Sequence, residues 1–186
     1  MAIYLVGYMA SGKSTIGRLL ARKLGWTFVD LDDAFEAICG LKTGEALTSY
    51  GVERFRQMER EAVERVADMA TTEHIVYATG GGFPTWEDNM DALRELGTTI
   101  YIRWSPEDLV ERFYLSGFEN RPLLDPYRDD KTQLLNFVRE HLKEREPYYR
   151  QAHYTIDAPL TELDVQNDEE LASELFTFIR NYKLAN

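Results

Sequence analysis

A glycine-rich stretch near the start of the chain, Gly7 to Ser14, has residue types and spacing that suit the binding of phosphate groups. It reads GYMASGKS, which matches the pattern G-x-x-x-x-G-K-[ST], and it lies between a short apolar run and a stretch of helical period. Glycines let successive backbone N–H groups turn toward phosphate oxygens, and a helix N terminus adds partial positive charge. Lys13 would reach the β- and γ-phosphates, and the Ser14 hydroxyl would ligate Mg²⁺. Because chance gives roughly 0.01 such matches in a chain of this length, the stretch predicts a nucleotide-binding site.

Two carboxylates lie close together where the second predicted strand ends. Because strand residues two apart point to the same side, Asp30 and Asp32 can face one crevice. One carboxylate could hold a water of Mg²⁺ while the other receives a hydroxyl proton. Alternatively, Asp32 only caps the N terminus of a helix over residues 33–38. The residues alone leave both interpretations open.

Charged residues also interrupt the apolar faces of two predicted helices. Glu59 shares a face with Phe55, and a buried carboxylate there needs a partner, which Arg56 can supply from three residues earlier. An arginine held in this way can clamp a ligand carboxylate or phosphate, or the pair is a structural salt bridge. Arg145 lies on the apolar face of a later helix, where it either binds an anion or extends along the helix end to solvent.

Two further segments suit close contact with a ligand. Gly80, Gly81 and Gly82 directly follow the third predicted strand, and consecutive glycines let the backbone approach a ligand and offer N–H donors. Arg121 lies in the stretch 117–124, whose composition is typical either of a mobile lid that carries an arginine onto a transferring phosphate or of an ordinary surface loop.

Together these residues describe a pocket with a phosphate cradle, two arginines for an anionic group and an aspartate for a hydroxyl. The chain has no N-K-x-D or T-K-x-D sequence to recognise guanine, and its 186 residues are too few for a motor protein. The pocket therefore favours phosphoryl transfer to a small hydroxy acid.

At these positions the sequence resembles the shikimate kinase family. The resemblance extends from the glycine-rich stretch to about residue 152 and rests on several ordered motifs. They are residues 7–15, FVDLD at 28–32, GxExFRxxE at 51–59, the triple glycine, RPLL at 121–124 and RxPxY at 145–149. Ala10 stands where the family commonly has glycine, and Val52 where it commonly has an acidic residue.

The resemblance implies the reaction ATP + shikimate → ADP + 3-phosphoshikimate, a step toward chorismate and the aromatic amino acids. It implies that Asp32 binds ring hydroxyls of shikimate and acts as the base, while Arg56 and Arg145 take its carboxylate and Glu59 positions Arg56. The residues implied to hold shikimate are Asp32, Arg56, Gly80, Gly81, Gly82 and Arg145.

The same resemblance implies how ATP is held. Arg112 resembles the arginine that stacks on adenine, Arg121 resembles the lid arginine, and Ser14 binds Mg²⁺ with Asp30 nearby through water. Together with Asp32, Lys13 and Arg121 are implied to be catalytic. The residues implied to bind ATP are Ala10, Ser11, Gly12, Lys13, Ser14, Thr15, Arg112 and Arg121.

The elements that position these residues follow from hydrophobic period. Apolar positions at helical spacing predict five amphipathic helices, the last of them marked by Leu171, Leu175, Phe178 and Tyr182. Strands alternating with helices indicate one parallel sheet covered on both faces, with ligands bound beyond the carboxyl ends of the strands. The predicted strands are Ile3–Val6, Trp26–Asp30, Ile75–Thr79, Thr98–Arg103 and His153–Asp157.

The fold that the resemblance implies agrees with this pattern. It is a nucleoside-monophosphate-kinase-like, three-layer α/β fold with a central parallel five-stranded sheet. Residues 1–186 form one domain, with a substrate-binding helical region over residues 31–60 and a mobile lid over residues 112–126.

Length and composition exclude several classes of protein. With 44% hydrophobic and 28% charged residues, the chain has the composition of a globular domain, and no apolar run is long enough to span a membrane. We expect no secretory leader, because the first residues lack a basic stretch and a long apolar run. A single cysteine, Cys39, suits a reducing cytoplasm, and the net charge of −11 argues against nucleic acid as a partner.

We expect a cytoplasmic monomer whose partners are ATP and shikimate, with Mg²⁺ as cofactor. The alternatives are a kinase for another hydroxy acid, such as gluconate, and a nucleotide-binding regulatory module without catalysis.

Overall fold

The computed structural model describes residues 1–69, 74–118, 121–158 and 166–181. Its strands are β1 (Ala2–Val6), β2 (Thr27–Asp30), β3 (Ile75–Ala78), β4 (Thr98–Arg103) and β5 (Tyr154–Asp157). They form one sheet in the order β2-β3-β1-β4-β5, in which every neighbouring pair is parallel. The five predicted strands are therefore confirmed, and none of their ends differs from the prediction by more than one residue.

Helices connect the strands and follow the last one. They are α1 (Lys13–Leu24), α2 (Leu31–Cys39), α3 (Thr43–Met69), α4 (Asn89–Leu96), α5 (Pro106–Ser116), α6 (Lys131–Tyr149) and α7 (Gln166–Asn181), with short 3₁₀ turns at Phe83–Thr85 and Pro122–Tyr127. The five predicted amphipathic helices correspond to α1, α3, α5, α6 and α7. Tyr182 of the last predicted helix, and Glu119 and Asn120 of the predicted lid, lie outside the described residues.

The ends of these helices follow from local sequence. Helix α1 stops at Gly25, whose φ of 71° is left-handed and whose N–H bonds to carbonyl oxygens of the last turn. Helix α5 begins after Ser105, whose side chain accepts a hydrogen bond from the backbone N–H of Asp108. Pro106 occupies the first helical position, where no N–H donor is needed.

Helices cover both faces of the sheet. All four residues of β3 are buried, as are four consecutive residues in each of β1 and β4. Because consecutive strand residues point to opposite faces, apolar side chains must pack above and below these strands. Helix α1 packs against α7, and α5 packs against α6. This is the three-layer α/β fold that the sequence predicts.

A second, smaller cluster of buried side chains lies apart from the main core. It joins α2 to α3 and consists of Phe35, Ala46, Phe55 and Ala62. Helix α3 is broken at Gly51, where φ is 75° and ψ is 170°, a backbone conformation that only glycine adopts readily. The break divides α3 into two parts, and both contribute to this cluster: Ala46 comes from the first part, and Phe55 and Ala62 come from the second.

Three strands end beside each other at the edge where the predicted site lies. In the register of the sheet, Leu5 of β1 and Asp30 of β2 both pair with Ala78 of β3. The segments that follow these strands therefore start from one edge, as expected for ligand sites in parallel sheets. In the described part of the chain, no helix has the length and apolar character needed to cross a membrane.

Candidate active site

The loop between β1 and α1 has the backbone conformation that its glycines predict. Gly7 has a φ of 146°, and a Cβ atom there would lie 2.8 Å from the carbonyl oxygen of Ile102. Gly12, with a φ of 84°, precedes α1, and among the described residues no side chain caps that helix N terminus. Ala10 has a φ of 60°, a left-handed conformation that costs a residue with a Cβ about 1 kcal/mol. The loop thus leaves helix N–H groups available for an anion.

Lys13 lies folded under this loop rather than in solvent. Its Nζ atom donates hydrogen bonds to the carbonyl oxygens of Gly7 (2.9 Å) and Tyr8 (2.7 Å), and the residue is 7% exposed. It also lies 3.3 Å from Oγ of Ser11. Burial lowers the pKa of Lys13 to about 8, so that the ammonium group is still charged at neutral pH.

Four charged side chains from other parts of the chain act on this ammonium group. After burial, the largest effects on the pKa of Lys13 come from the carboxylates of Asp32 and Asp30, which raise it. The guanidinium groups of Arg121 and Arg145 lower it. The structure therefore brings these five predicted site residues together, although 132 positions separate Lys13 from Arg145 in the sequence.

The two aspartates have different places in the backbone from those that the sequence predicts. Asp30 ends β2 and caps α2, because its Oδ1 accepts a hydrogen bond of 3.1 Å from the backbone N–H of Asp32. The alternative in which Asp32 is the helix cap is therefore wrong. The strand alternation that is predicted to relate the two aspartates is also wrong, since Asp32 is in the first turn of α2. The other oxygen of Asp30, Oδ2, accepts a hydrogen bond of 2.6 Å from the Ser14 hydroxyl.

Asp32 is poised to exchange a proton near neutral pH. Burial raises the pKa of its carboxyl to about 6, and the charge of Asp30 raises it further. The nearby cations Lys13 and Arg56 oppose this shift. A carboxylate in this environment is a stronger base than an exposed aspartate and is still ionised at pH 7.

Arg56 and Glu59 form the ion pair that their spacing predicts. Nη1 of Arg56 donates to Oε2 of Glu59, and the glutamate is only 5% exposed. Burial raises the pKa of Glu59 to about 7, although the charge and the hydrogen bond of Arg56 both lower it. The pair fixes the guanidinium group beside Asp32, whose charge also raises the pKa of Glu59.

The triple glycine makes room for these charged side chains. A Cβ atom at Gly80 would lie 2.7 Å from Oδ1 of Asp32, and one at Gly82 would lie 1.9 Å from Nη2 of Arg56. At Gly81 a Cβ atom would lie 3.2 Å from the backbone nitrogen of Met9. The glycines therefore let the turn after β3 pack closely against α2, α3 and the phosphate-binding loop.

Arg145 approaches the same turn from α6. Its charge acts on Tyr149, one helical turn later, and Tyr149 donates a hydrogen bond of 2.5 Å to the carbonyl oxygen of Gly81. The guanidinium carbon of Arg145 lies 6.0 Å from the centre of the Tyr8 ring. Burial raises the pKa of Tyr149 to about 12, and both Arg145 and Arg56 lower it. The two arginines thus converge on one phenol group.

The remaining predicted arginines lie on α5 and after it. Nε of Arg112 donates a hydrogen bond of 2.6 Å to the carbonyl oxygen of Ala10, which places its guanidinium group beside the phosphate-binding loop. Nη1 of Arg121 donates to Oγ of Ser116 (3.0 Å) and to the carbonyl oxygen of Gly117. Arg112 therefore borders the loop that holds Lys13, whereas Arg121 is held at the end of α5 and acts on Lys13 through its charge.

The donor set suits a divalent ion that is bound mainly by a nucleotide. Ser14 and Asp30 offer hard oxygen ligands 2.6 Å apart at the end of the loop. The described residues contain no group of three or more His, Cys, Asp or Glu side chains that could hold a metal by themselves. One or two protein ligands plus phosphates and waters is the arrangement that Mg²⁺ usually adopts in kinases.

Three contacts that fix the site have no counterpart in the predictions from sequence. The Tyr8 hydroxyl lies 2.6 Å from Nδ1 of His141, which joins the loop to α6. Nε1 of Trp104 donates a hydrogen bond of 3.0 Å to the carbonyl oxygen of Ser11. The third is the contact of Tyr149 with the glycine turn. The spacing of Arg145 and Tyr149 could have indicated a shared helix face, whereas nothing local pairs Tyr8 with His141.

Comparison with known proteins identifies the family. The sequence model of the family described as shikimate kinase matches residues 9–180. The chain belongs to the shikimate kinase family. A curated shikimate kinase from Bacteroides thetaiotaomicron is 37% identical over 156 residues, which cover 84% of this chain and 86% of that protein. The left-handed conformation at Ala10 is one that glycine would adopt without strain.

Solved structures agree with this assignment. The 1.7 Å crystal structure of shikimate kinase from B. thetaiotaomicron superposes with a TM-score of 0.84 at 33% identity, covering 97% of this chain and 98% of the other. Shikimate kinase from Acinetobacter baumannii, solved in complex with shikimate, gives a TM-score of 0.79 at 34% identity, with 98% and 94% covered. A gluconokinase from Sinorhizobium meliloti shares the fold alone, with a TM-score of 0.57 at 17% identity and coverage of 97% and 96%.

Proposed function

We propose that the residues of this site carry out in this chain the reaction of the shikimate kinase family, transfer of the γ-phosphate of ATP to the 3-hydroxyl of shikimate. The observation that carries the proposal is the place of Asp32. It lies close enough to both Lys13 and Arg56 for their charges to lower its pKa. Asp32, the proposed base, therefore lies between Lys13, which would bind the nucleotide, and Arg56, which would bind the acid.

ATP binds through its phosphates to the backbone N–H groups of residues 10–15 and to Lys13. The N terminus of α1 and the left-handed residues of the loop direct those groups to one place. Arg121 contributes charge at the γ-phosphate, and Arg112 contacts the adenine ring. We propose that residues 112–126 act as the lid that brings Arg121 to the phosphate.

Shikimate binds between α2, α3, α6 and the glycine turn. Its carboxylate pairs with Arg56 and Arg145, the two guanidinium groups that converge on Tyr149. Its ring hydroxyls face Asp32 and the backbone of the turn formed by Gly80 to Gly82. Glu59 acts through Arg56, because its buried carboxylate fixes the direction of the guanidinium group.

In the transfer step, the 3-hydroxyl oxygen forms a bond to the γ-phosphorus while the bond from that phosphorus to the β–γ bridging oxygen breaks. The hydroxyl proton passes to the carboxylate of Asp32, and ADP leaves with the bonding electron pair. Lys13 and Arg121 stabilise the negative charge that spreads over the transferring group.

We propose Mg²⁺ as the divalent metal that ATP use by the family implies. The Ser14 hydroxyl would ligate it directly and Asp30 through water, and the ion would neutralise charge on the β- and γ-phosphates. We also propose that the protein is cytoplasmic and monomeric. Analytical ultracentrifugation of the purified chain would test the monomeric state.

ADP release with Mg-ATP tests the function directly. The assay compares no acceptor, shikimate, gluconate and quinate at equal concentrations. We expect turnover with shikimate alone, since its carboxylate and hydroxyls match the two arginines and Asp32. Faster turnover with gluconate or quinate would reassign the roles of Arg56 and Arg145. Tight ATP binding without turnover on any acid would instead favour the regulatory module.

A further inference from the structure

A buried ion pair links the last helix to the nucleotide side of the site. Asp168 lies in the first turn of α7 and is 7% exposed. Nη2 of Arg112, on α5, donates to both of its carboxylate oxygens, at 2.9 Å and 3.2 Å. Burial raises the pKa of Asp168, whereas the charge and hydrogen bond of Arg112 lower it. A buried carboxylate is costly unless it is paired, and Arg112 supplies the compensating positive charge.

The same guanidinium group is held on two other sides. Its Nε donates to the carbonyl oxygen of Ala10 at 2.6 Å, and its carbon lies 4.4 Å from the ring centre of Trp104. Trp104 is in turn fixed by its hydrogen bond to the carbonyl oxygen of Ser11. The position and the plane of the Arg112 guanidinium group are thus fixed by three contacts: the carbonyl oxygen of Ala10, the indole ring of Trp104 and the carboxylate of Asp168.

The pair also packs directly on the residue before Lys13. A Cβ atom at Gly12 would lie 2.7 Å from Oδ1 of Asp168 and 2.8 Å from Nη2 of Arg112. An unpaired carboxylate so close to the loop would repel phosphate, but the adjacent guanidinium group neutralises it. Asp168 can therefore hold Arg112 at the nucleotide site at little electrostatic cost to phosphate binding.

We propose that Asp168 is a positioning residue for recognition of the nucleotide base. It fixes the guanidinium plane of Arg112 so that the face opposite Trp104 stacks on the purine of ATP. The inference rests on the proposed function in one respect, namely that Arg112 contacts the base. It gives α7 a part in ATP affinity through a residue that does not itself touch the phosphates.

The experiment compares binding of Mg-ATP with binding of Mg-tripolyphosphate, which has the phosphates but no base. Asp168→Asn keeps the size of the side chain and removes its charge. We expect this variant to bind ATP about tenfold more weakly, while its affinity for tripolyphosphate is unchanged or higher. Its kcat and its KM for shikimate should stay within twofold of the wild-type values. Asp157→Asn, which removes the exposed ion pair of Asp157 with Arg103, is the matched control and should change neither affinity.

Two further variants keep the test decisive if Asp168→Asn is poorly folded. Arg112→Lys keeps the positive charge but loses the planar group, and should show the same selective loss of ATP affinity. Adding Asp168→Asn to Arg112→Ala should cause no further loss, because the carboxylate acts through the guanidinium group. Equal weakening of ATP and tripolyphosphate, or no change in either, would overturn the proposal. Because both are binding measurements, the result stands even if shikimate is not the acceptor.

Discussion

Nη2 of Arg56 occupies space that a side chain at Gly82 would need, since a Cβ atom there would lie 1.9 Å from it. Gly82 has a φ of −94°, so its backbone conformation is open to any residue. A side chain at this position would therefore have to displace the guanidinium group of Arg56, whereas the backbone conformation itself carries no strain. The turn after β3 and the side chain of Arg56 are fitted to each other.

Gly82→Ala should displace Arg56 and weaken binding of shikimate. We expect KM for shikimate to rise roughly tenfold, the effect of losing one charge-assisted hydrogen bond, with the affinity for ATP within twofold of wild type. Steady-state kinetics and a nucleotide titration measure both. Gly44→Ala is the control, because an added Cβ meets nothing within 4 Å there. An unchanged KM for shikimate in Gly82→Ala would mean that Arg56 does not bind the acid.

Arg145→Met should selectively weaken binding of the acid. Removing the guanidinium group leaves the carboxylate with one arginine, so we expect KM for shikimate to rise about 10- to 100-fold. The affinity for ATP should change little. Arg139→Met removes an exposed arginine from the same helix, one that pairs with Glu107, and should leave both constants unchanged. Equal loss of ATP affinity in Arg145→Met would contradict the proposed role.

Asp32→Asn should lower kcat by about 10²- to 10⁴-fold while ATP still binds, because the amide cannot accept the hydroxyl proton. In the wild type, kcat/KM for shikimate at saturating Mg-ATP should fall as the pH drops below about 6, where the carboxyl becomes protonated. Asp33→Asn, next in α2 but exposed, should retain full activity, with a pH profile displaced slightly toward lower pH because the charge of Asp33 contributes to the raised pKa of Asp32. Near-normal turnover of Asp32→Asn would remove this residue as the base.

Glu59→Gln should change how the free energy of unfolding depends on pH. The folded-state pKa of about 7 lies above the ordinary value of 4.5, so the folded protein favours the protonated acid. Its contribution to stability is complete below pH 4.5 and is lost as the pH rises through 7. We therefore expect the free energy of unfolding, measured with denaturant, to be lower at pH 7.5 than at pH 5 by on the order of 1–3 kcal/mol in the wild type. The difference between the two pH values should be smaller in the variant.

The control for this pH dependence lies one turn further along α3. Glu64→Gln removes an exposed carboxylate that pairs with Arg60. Because solvent screens that pair, its variant should keep the wild-type pH dependence. If Glu59→Gln has the same pH dependence as the wild type, the pKa of Glu59 is not raised in the folded protein.

The parts of the site that could be predicted from sequence are those in which the residues lie close together in the chain at a regular spacing. The glycine-rich loop is one motif of fixed spacing, and the pair of Arg56 with Glu59 follows from helical period. The contacts of Arg112 with Asp168, and of Tyr8 with His141, join residues 56 and 133 positions apart. No periodicity links them, because they depend on which helices the sheet brings together.

The two aspartates show the opposite case, in which the predicted proximity is observed but the predicted reason for it is wrong. Strand alternation predicts that Asp30 and Asp32 share a crevice, and the charge of Asp30 does raise the pKa of Asp32. However, the chain turns into α2 directly after Asp30, so that one aspartate caps the helix on which the other lies. Pattern alone does not distinguish a strand that continues from a helix that begins within two residues.

The small cluster of Phe35, Ala46, Phe55 and Ala62 has a consequence for which parts of the site can change separately. These four side chains form a cluster of their own, so a substitution among them alters first how α2 packs on α3. Asp32 lies on α2, and Arg56 and Glu59 lie on α3 between Phe55 and Ala62. Repacking this cluster would therefore shift the side chains proposed to bind the acid relative to the phosphate-binding loop, while the core around the sheet stays as it is.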